Sequence, residues 1–236
     1  MTPEERVRHG LDVLYATDAA GRLLHPRNPR LPAPRLHFVR TATGNTWRFA
    51  ASLSPALVAR IEPLLAAEPV EVDTARWEAH EPACLVAVRD VLALDQSLAR
   101  EYRGPAFAFP ERMPPSSIAV EVLAEPSGVV ALPPLEWVTS AVESDQPLVV
   151  ARDGEGRVVA QCHSARRSAS AAHAGVETAP EARQRGLGAA VVTEWAVGVR
   201  RLGLEPYYGT WWDNAASRAL AARLGLTMFA EDWHVD

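Results

Sequence analysis

Apolar positions along this chain repeat with two different spacings, and the places where the spacing changes outline its elements. Alternation of apolar and polar residues marks strands, whereas recurrence every three to four residues marks one face of a helix. Leu11–Tyr15 and Arg22–His25 flank the turn-forming Asp18-Ala19-Ala20-Gly21, and the spacing predicts a hairpin. A second hairpin is predicted for Leu36–Thr41 and Thr46–Ala50 around Gly44-Asn45. From Ser54 to Ala67 the spacing becomes helical: Ser54 and Pro55 suit the N-cap and first position, and Leu57, Ile61, Leu64 and Leu65 form a stripe. A further helix is expected from Pro82 to about Leu94. This part of the chain reads as a small α+β unit without a recognisable chemical motif, either a scaffold or a lid on the substrate side.

Phe109-Pro110-Glu111-Arg112-Met113-Pro114-Pro115-Ser116-Ser117 is the clearest boundary, since its three prolines oppose both helix and central strand. The expected domains are therefore 1–112, of unknown role, and 117–236. Beyond the boundary, Ile118–Leu123 reads as a strand and Leu135–Val142 as a short helix. Leu148–Arg152 and Val158–Ser164 form strands around the hairpin signal Asp153-Gly154-Glu155-Gly156, and Ala171–Thr178 follows as a third. A helix at Gly186–Arg200, a strand at Pro206–Trp211, a helix at Asn214–Leu224 and a strand at Leu226–His234 complete the order. The fold class expected is α+β, with a mostly antiparallel sheet followed by alternating helix and strand.

Composition narrows the chemistry. With 236 residues and 48% hydrophobic positions the chain can build a sizeable core, and a net charge of −5 argues against nucleic acid as a partner. All 24 basic residues are arginine, so Schiff-base chemistry and a P-loop lysine are excluded. No apolar run is long enough to span a bilayer, and the N-terminus lacks signal-peptide character. A cytoplasmic location with no membrane partner is expected. Cys84 and Cys162 are isolated, with no ligands at metal-site spacing, so no metal is expected.

The informative stretch is Val176-Glu177-Thr178-Ala179-Pro180-Glu181-Ala182-Arg183-Gln184-Arg185-Gly186-Leu187-Gly188-Ala189. A strand ends, a short loop carries two arginines, and a helix opens on glycines. The first turn of a helix leaves amide N–H groups unpaired at the positive end of its dipole. Glycines let a pyrophosphate approach that backbone, and arginines add charge. A Walker loop would need lysine. A dinucleotide fingerprint would need a small residue where Val191 stands, and would open a parallel βαβ unit.

Arg183-x-x-Gly186-x-Gly188 resembles the Gln/Arg-x-x-Gly-x-Gly/Ala signature of GCN5-related N-acetyltransferases (GNAT). Trp211-Trp212-Asp213-Asn214-Ala215-Ala216-Ser217-Arg218, running on to Leu224-Gly225-Leu226, resembles that family's strand–Asn–helix–"Leu-Gly-Phe" ending, with Leu226 in place of Phe. The resemblance covers roughly the last 120 residues. It implies a GNAT-type acyl-CoA N-acyltransferase fold and transfer of an acetyl or other acyl group from acetyl-CoA to a primary amine of a small molecule or peptide. The backbone of Val176, Glu177 and Thr178 would pair with pantetheine. Arg183, Arg185, Gly186, Leu187, Gly188 and Ala189 would hold the pyrophosphate, and Asn214 and Ser217 would contact the cofactor nearer the pantetheine. A non-catalytic acyl-CoA-binding or sensory module is the alternative, and a homodimer stays open.

Transfer by direct attack needs a base for the amine and a proton for the leaving thiolate. Glu177 is the first candidate base, and His173 and His163, expected to face each other across the hairpin, are the second. The family's usual tyrosine acid falls at Ala221, so the proton must come from water, Thr210, Ser217, Tyr207 or Tyr208; Tyr208 is taken as the catalytic candidate. Cys162 reads as a small buried residue. Trp211 and Trp212 line the acceptor pocket or form a buried pair. Arg166 and Arg167, assigned to the loop Ser164–Ala171, are solvated charges or attract an acidic acceptor.

Overall fold

The computed structural model describes residues 3–27, 32–124, 129–140 and 147–236. Two compact units emerge, and they do not divide the chain at one point. The first comprises Met1–Phe107, Gly209–Ala215 and Met228–Asp236; the second comprises Ala108–Tyr208 and Ala216–Thr227.

In the first unit a helix, α1 (Pro3–Leu14), leads into a two-stranded hairpin of β1 (Tyr15–Thr17) and β2 (Leu23–Pro26). The expected hairpin exists, but Leu11–Leu14 belongs to the helix: Val7 and Leu11, four residues apart, pack together on Val39, Ala106 and Ala230. The hairpin β3 (Leu36–Thr41) and β4 (Gly44–Phe49) pairs Leu36 with Phe49 and Thr41 with Gly44. Its turn is closed by Thr41, whose hydroxyl oxygen accepts from the amides of Thr43 and Gly44. Two helices, α2 (Pro55–Ala66) and α3 (Cys84–Ala93), follow, and Ser54 caps α2 by accepting the Leu57 amide. Their apolar faces (Leu57, Ile61, Leu65, Leu85, Val88, Leu92) pack on Leu36, Phe38, Phe49, Trp233 and Val235. The sheet order is β4, β3, β11 (Thr227–Val235) and β5 (Glu101–Ala108). Every residue of β3 is buried because alternate side chains meet α2–α3 and α1 on opposite faces.

Strand β5 is absent from the pattern-based expectation because Arg103-Gly104-Pro105 reads as a breaker. The tertiary context explains the glycine: a Cβ on Gly104 would lie 1.9 Å from the Thr210 carbonyl oxygen.

The second unit is a five-stranded sheet in the order β10 (Glu205–Gly209), β9 (Ala171–Thr178), β8 (Val158–Arg167), β7 (Val149–Arg152) and β6 (Glu121–Val122). Strands β6 to β9 are antiparallel, and β10 runs parallel to β9. Between β9 and β10 lies α4 (Leu187–Arg201), and α5 (Ala215–Arg223) follows β10. The strand expected at Ile118–Leu123 contracts to β6. The helix expected at Leu135–Val142 is a 3-10 turn over Glu136–Ser140, with 141–142 outside the described residues. Helix α4 buries Ala190, Val191, Trp195, Ala196 and Val199, and the Trp195 indole N–H donates to Ser164 across 3.2 Å. The proline-rich segment lies along α4, where the Arg200 guanidinium donates to the carbonyls of Glu111 (2.8 Å) and Phe109 (3.3 Å).

Candidate functional site

The strand that ends before the arginine–glycine loop leaves its neighbour early. Residues Ala171–His173 of β9 pair with Glu205–Tyr207 of β10, and the register goes no further, although β9 continues to Thr178. Val176, Glu177 and Thr178 pair on their other side with Cys162, Gln161 and Ala160. The β10-facing backbone edge of these last residues is therefore available to an extended ligand, as a strand would be.

From Thr178 the chain passes through a 3-10 turn (Pro180–Ala182) into a sharply bent loop. Gln184 has φ +60° and Gly186 φ +80°, two left-handed residues within three positions. Such turns gather backbone N–H groups into an anion-binding concavity. The Arg183 guanidinium donates back to the Thr178 carbonyl at 3.3 Å, and Arg185 is exposed. Helix α4 opens on Gly186 without a side-chain cap, so the amides of its first turn remain available as donors.

The two glycines are small for different reasons. Gly186 needs its left-handed φ, and a Cβ there would also press on Arg223 (3.1 Å) and Ile118 (3.2 Å). At Gly188 a Cβ would meet only Thr178 Oγ1 at 3.5 Å and Leu220 at 3.9 Å, which are ordinary contacts. Alanine would fit there and favour the helix by about 1 kcal/mol. The protein's own packing does not require this glycine, and a small residue there keeps the helix backbone open to a phosphate.

Arg223, near the C-terminus of α5, was not anticipated as part of this loop. Its guanidinium lies beside Gly186 and adds a third arginine to Arg183 and Arg185. In the sequence it looks like an ordinary basic residue in a last helical turn.

The face of the β8–β9 pair carrying Glu177 holds a second group of residues. Glu177 sits opposite Gln161, and His163 opposite Gly175. The Trp137 indole N–H donates to Glu177 Oε2 at 3.2 Å, and the same ring meets His163 edge-on at 4.9 Å. His163 Nδ1 lies 3.0 Å from Gln161 Oε1. A Cβ on Gly175 would lie 2.6 Å from His163 Cε1, so the glycine makes room for the imidazole. Burial lowers the pKa of His163, and a hydrogen bond with the Gly175 backbone opposes this only in part.

His163 and His173 do not face each other. The register shifts between Ser164 and Arg166, which brings His173 opposite Arg166. The same bulge places Arg166 and Arg167 on β8 itself, not in a loop. Thr178, in contrast to Glu177, lies toward the start of α4, as its closeness to Gly188 indicates. Trp137 was missed by sequence reasoning, because one tryptophan in a short turn carries no periodic signal.

On β10, Tyr208 is buried, and its hydroxyl is hydrogen-bonded to Ser217 of α5. Burial raises its pKa; the bond to Ser217 pulls the other way, and Cys162 adds to the rise. Ala221 and Cys162 are fully buried, and burial pushes the Cys162 thiol well up, consistent with an inert packing residue. Asn214 is exposed in the first unit, where its backbone N–H donates to the Trp211 carbonyl at 3.2 Å. In that unit the Trp212 indole donates to Glu231 at 2.5 Å, while Trp211 is 47% exposed and contacts Tyr102 edge-on. No group of three or more possible metal ligands occurs among the described residues, and none of their helices is long and apolar enough to cross a membrane.

The model of the FR47-like protein family matches residues 150–235, the stretch holding β8, β9, the glycine loop and α5. Over those residues the chain is similar to this GNAT-type family. Solved structures similar to it include a putative GNAT acetyltransferase from Novosphingobium aromaticivorans DSM 12444, with 22% identity and a TM-score of 0.46, covering 58% of this chain and 65% of that one. A GCN5-related N-acetyltransferase-like protein from Streptococcus suis 89/1591 has 13% identity and a TM-score of 0.48, covering 86% and 85%. A GNAT superfamily phosphinothricin acetyltransferase from Sinorhizobium meliloti, solved in complex with AcCoA, has 20% identity and a TM-score of 0.32, covering 39% and 60%. No curated protein matches the chain.

Proposed function

We propose that the protein is an N-acyltransferase that moves an acetyl or other acyl group from acyl-CoA to a primary amine of a small molecule or peptide. The observation that carries this reading is the way β9 outruns its ladder with β10 and ends at an uncapped helix. An extended pantetheine arm needs such a strand edge, and a pyrophosphate needs such a helix start. The amides from Arg185 to Ala189 are the proposed pyrophosphate donors, with Arg183, Arg185 and Arg223 around them.

The acyl-CoA supplies a thioester carbonyl and a thiolate leaving group. Glu177 accepts the proton of the attacking amine, directly or through water, as the new N–C bond forms and the C–S bond breaks. Tyr208 donates the proton that the departing sulfur takes up, and Ser217 is placed to return one to it. The raised pKa of Tyr208 keeps that hydroxyl protonated at neutral pH. Tyr208 thus takes over the work of the family's usual tyrosine, absent at Ala221.

That absence favours one other reading, a non-catalytic acyl-CoA-binding or sensory module. Release of free CoA thiol, measured with acetyl-CoA and a panel of primary amines, separates the two. Amine-dependent release is expected; tight acetyl-CoA binding with no release for any amine would favour the sensory module.

A further inference from the structure

The face that carries Glu177 also carries a cation without an anion. Arg166 stands opposite His173, and the bulge that puts it there also brings the extra residue, Ala165, onto the Gly175 side: a Cβ on Gly175 would lie 3.0 Å from that of Ala165. Its Nε is buried without a hydrogen-bond partner, and among the described residues no ion pair holds the guanidinium. Leaving a buried charged donor unsatisfied is costly, so such a group calls for an explanation. Arg152 of β7 and Arg157, just before β8, show the contrast, since they are held by Glu121 and Asp153.

We propose that Arg166 binds an acidic group of the acceptor, which makes the acceptor an amino acid or short peptide with a free amine and a carboxylate. This rests on the acyltransferase reading of the same site. Glu177 receives the amine, with Trp137 fixing one carboxylate oxygen, and Arg166 receives the carboxylate in a paired geometry suited to guanidinium. His163, whose pKa burial lowers, stays neutral between them and does not repel either end. Arg166 lies opposite His173, four residues from Glu177, so the two side chains start about 13 Å apart at ~3.3 Å per residue. The arms shorten that gap, and a linear amino acid with several methylenes, or a dipeptide, spans the rest.

The test compares glycine, 4-aminobutyrate and 6-aminohexanoate with ethylamine, butylamine and hexylamine. Turnover is read as kcat/KM, and binding to the CoA-loaded protein is read by calorimetry. The carboxylated amine of best length is expected to be preferred about ten-fold or more, the usual size of a charge-assisted hydrogen bond. Arg166→Gln should bring that ratio to about one through KM, and Arg166→Lys should restore part of it. Equal use of both series, or a preference that survives Arg166→Gln, would overturn the assignment. If no amine turns over, the acyltransferase reading fails separately, and calorimetry still decides whether Arg166 selects the carboxylate.

Discussion

A buried charge cluster in the first unit and the loop–helix region of the second differ in how their polar groups are satisfied. In the first unit Glu231, 1% exposed, receives Arg40 at 2.5 Å, Arg103 at 2.9 Å and the Trp212 indole N–H. Arg40 also donates to the carbonyls of Trp77 and His80. Burial pushes Glu231 up while the two arginines pull it down, and burial lowers Arg40. Arg89 ties Glu81 to Glu101, and Glu101 also accepts the Trp233 indole N–H. In the second unit the first turn of α4 has no cap, a Cβ on Gly188 would meet only ordinary contacts, and Arg166 Nε has no hydrogen-bond partner. Polar groups satisfied within the chain specify its structure, whereas groups left open at a strand edge or helix start are held ready for a ligand.

This contrast can be broken most forcefully at Glu231. Glu231→Ala strands two buried arginines and is expected to cost about 3–5 kcal/mol. Urea unfolding checks this, and a loss below about 1 kcal/mol would show that the cluster is solvated. Next in size is Tyr208→Phe, which removes the proposed acid and should lower kcat about 100-fold, equivalent to ~2.7 kcal/mol, with little change in acetyl-CoA affinity. Because the pKa of Tyr208 is raised and its protonated form acts, the wild-type rate should hold up to at least pH 10 before falling. An alkaline loss centred below that would remove Tyr208 from the mechanism.

Gly188→Ala should gain up to about 1 kcal/mol of stability while leaving acetyl-CoA affinity within about three-fold, since alanine also satisfies the signature. Parallel melting and titration experiments read both effects, and a destabilised protein would contradict the reading that packing does not require this glycine.

Acid unfolding gives the smallest effect and distinguishes the units. His163 has a folded pKa below its ordinary 6.5, so the unfolded chain binds more protons there. Stability tied to it is present above that value and is lost as pH falls through the folded pKa. Glu81, held low chiefly by Arg89, loses its contribution only below 4.5. For Glu101, burial raises the pKa, but Arg89 and Trp233 outweigh it, so its contribution falls in the same low window. Glu231, raised by burial, acts with the opposite sign, its contribution being lost as pH rises. Melting curves of His163→Asn should therefore flatten the loss below pH 6.5, and those of Glu101→Gln the loss below 4.5.

Local chemistry made much of this legible in the sequence. Ser54-Pro55 signalled the start of α2, Asp153–Gly156 the β7–β8 turn, and Arg183–Gly188 the loop before α4. What escaped depends on contacts between distant segments. Strand β5 contains Gly104-Pro105, and only the approach of Thr210 makes that glycine fit. Trp137 reaches Glu177 across 40 positions, and Arg223 reaches Gly186 from another helix. The bulge after Ser164 inserts one residue and changes which residues oppose each other, so simple counting paired His163 with His173 when Gly175 and Arg166 are the true partners.

The central claim is that the start of α4 is a pyrophosphate cradle, and calorimetry with acetyl-CoA tests it most directly. Wild-type protein should bind acetyl-CoA at micromolar concentrations, and Gly188→Trp, correctly folded by circular dichroism, should lose at least 100-fold in affinity, about 2.7 kcal/mol. No binding by the wild type at millimolar acetyl-CoA, or unchanged affinity in Gly188→Trp, would contradict it.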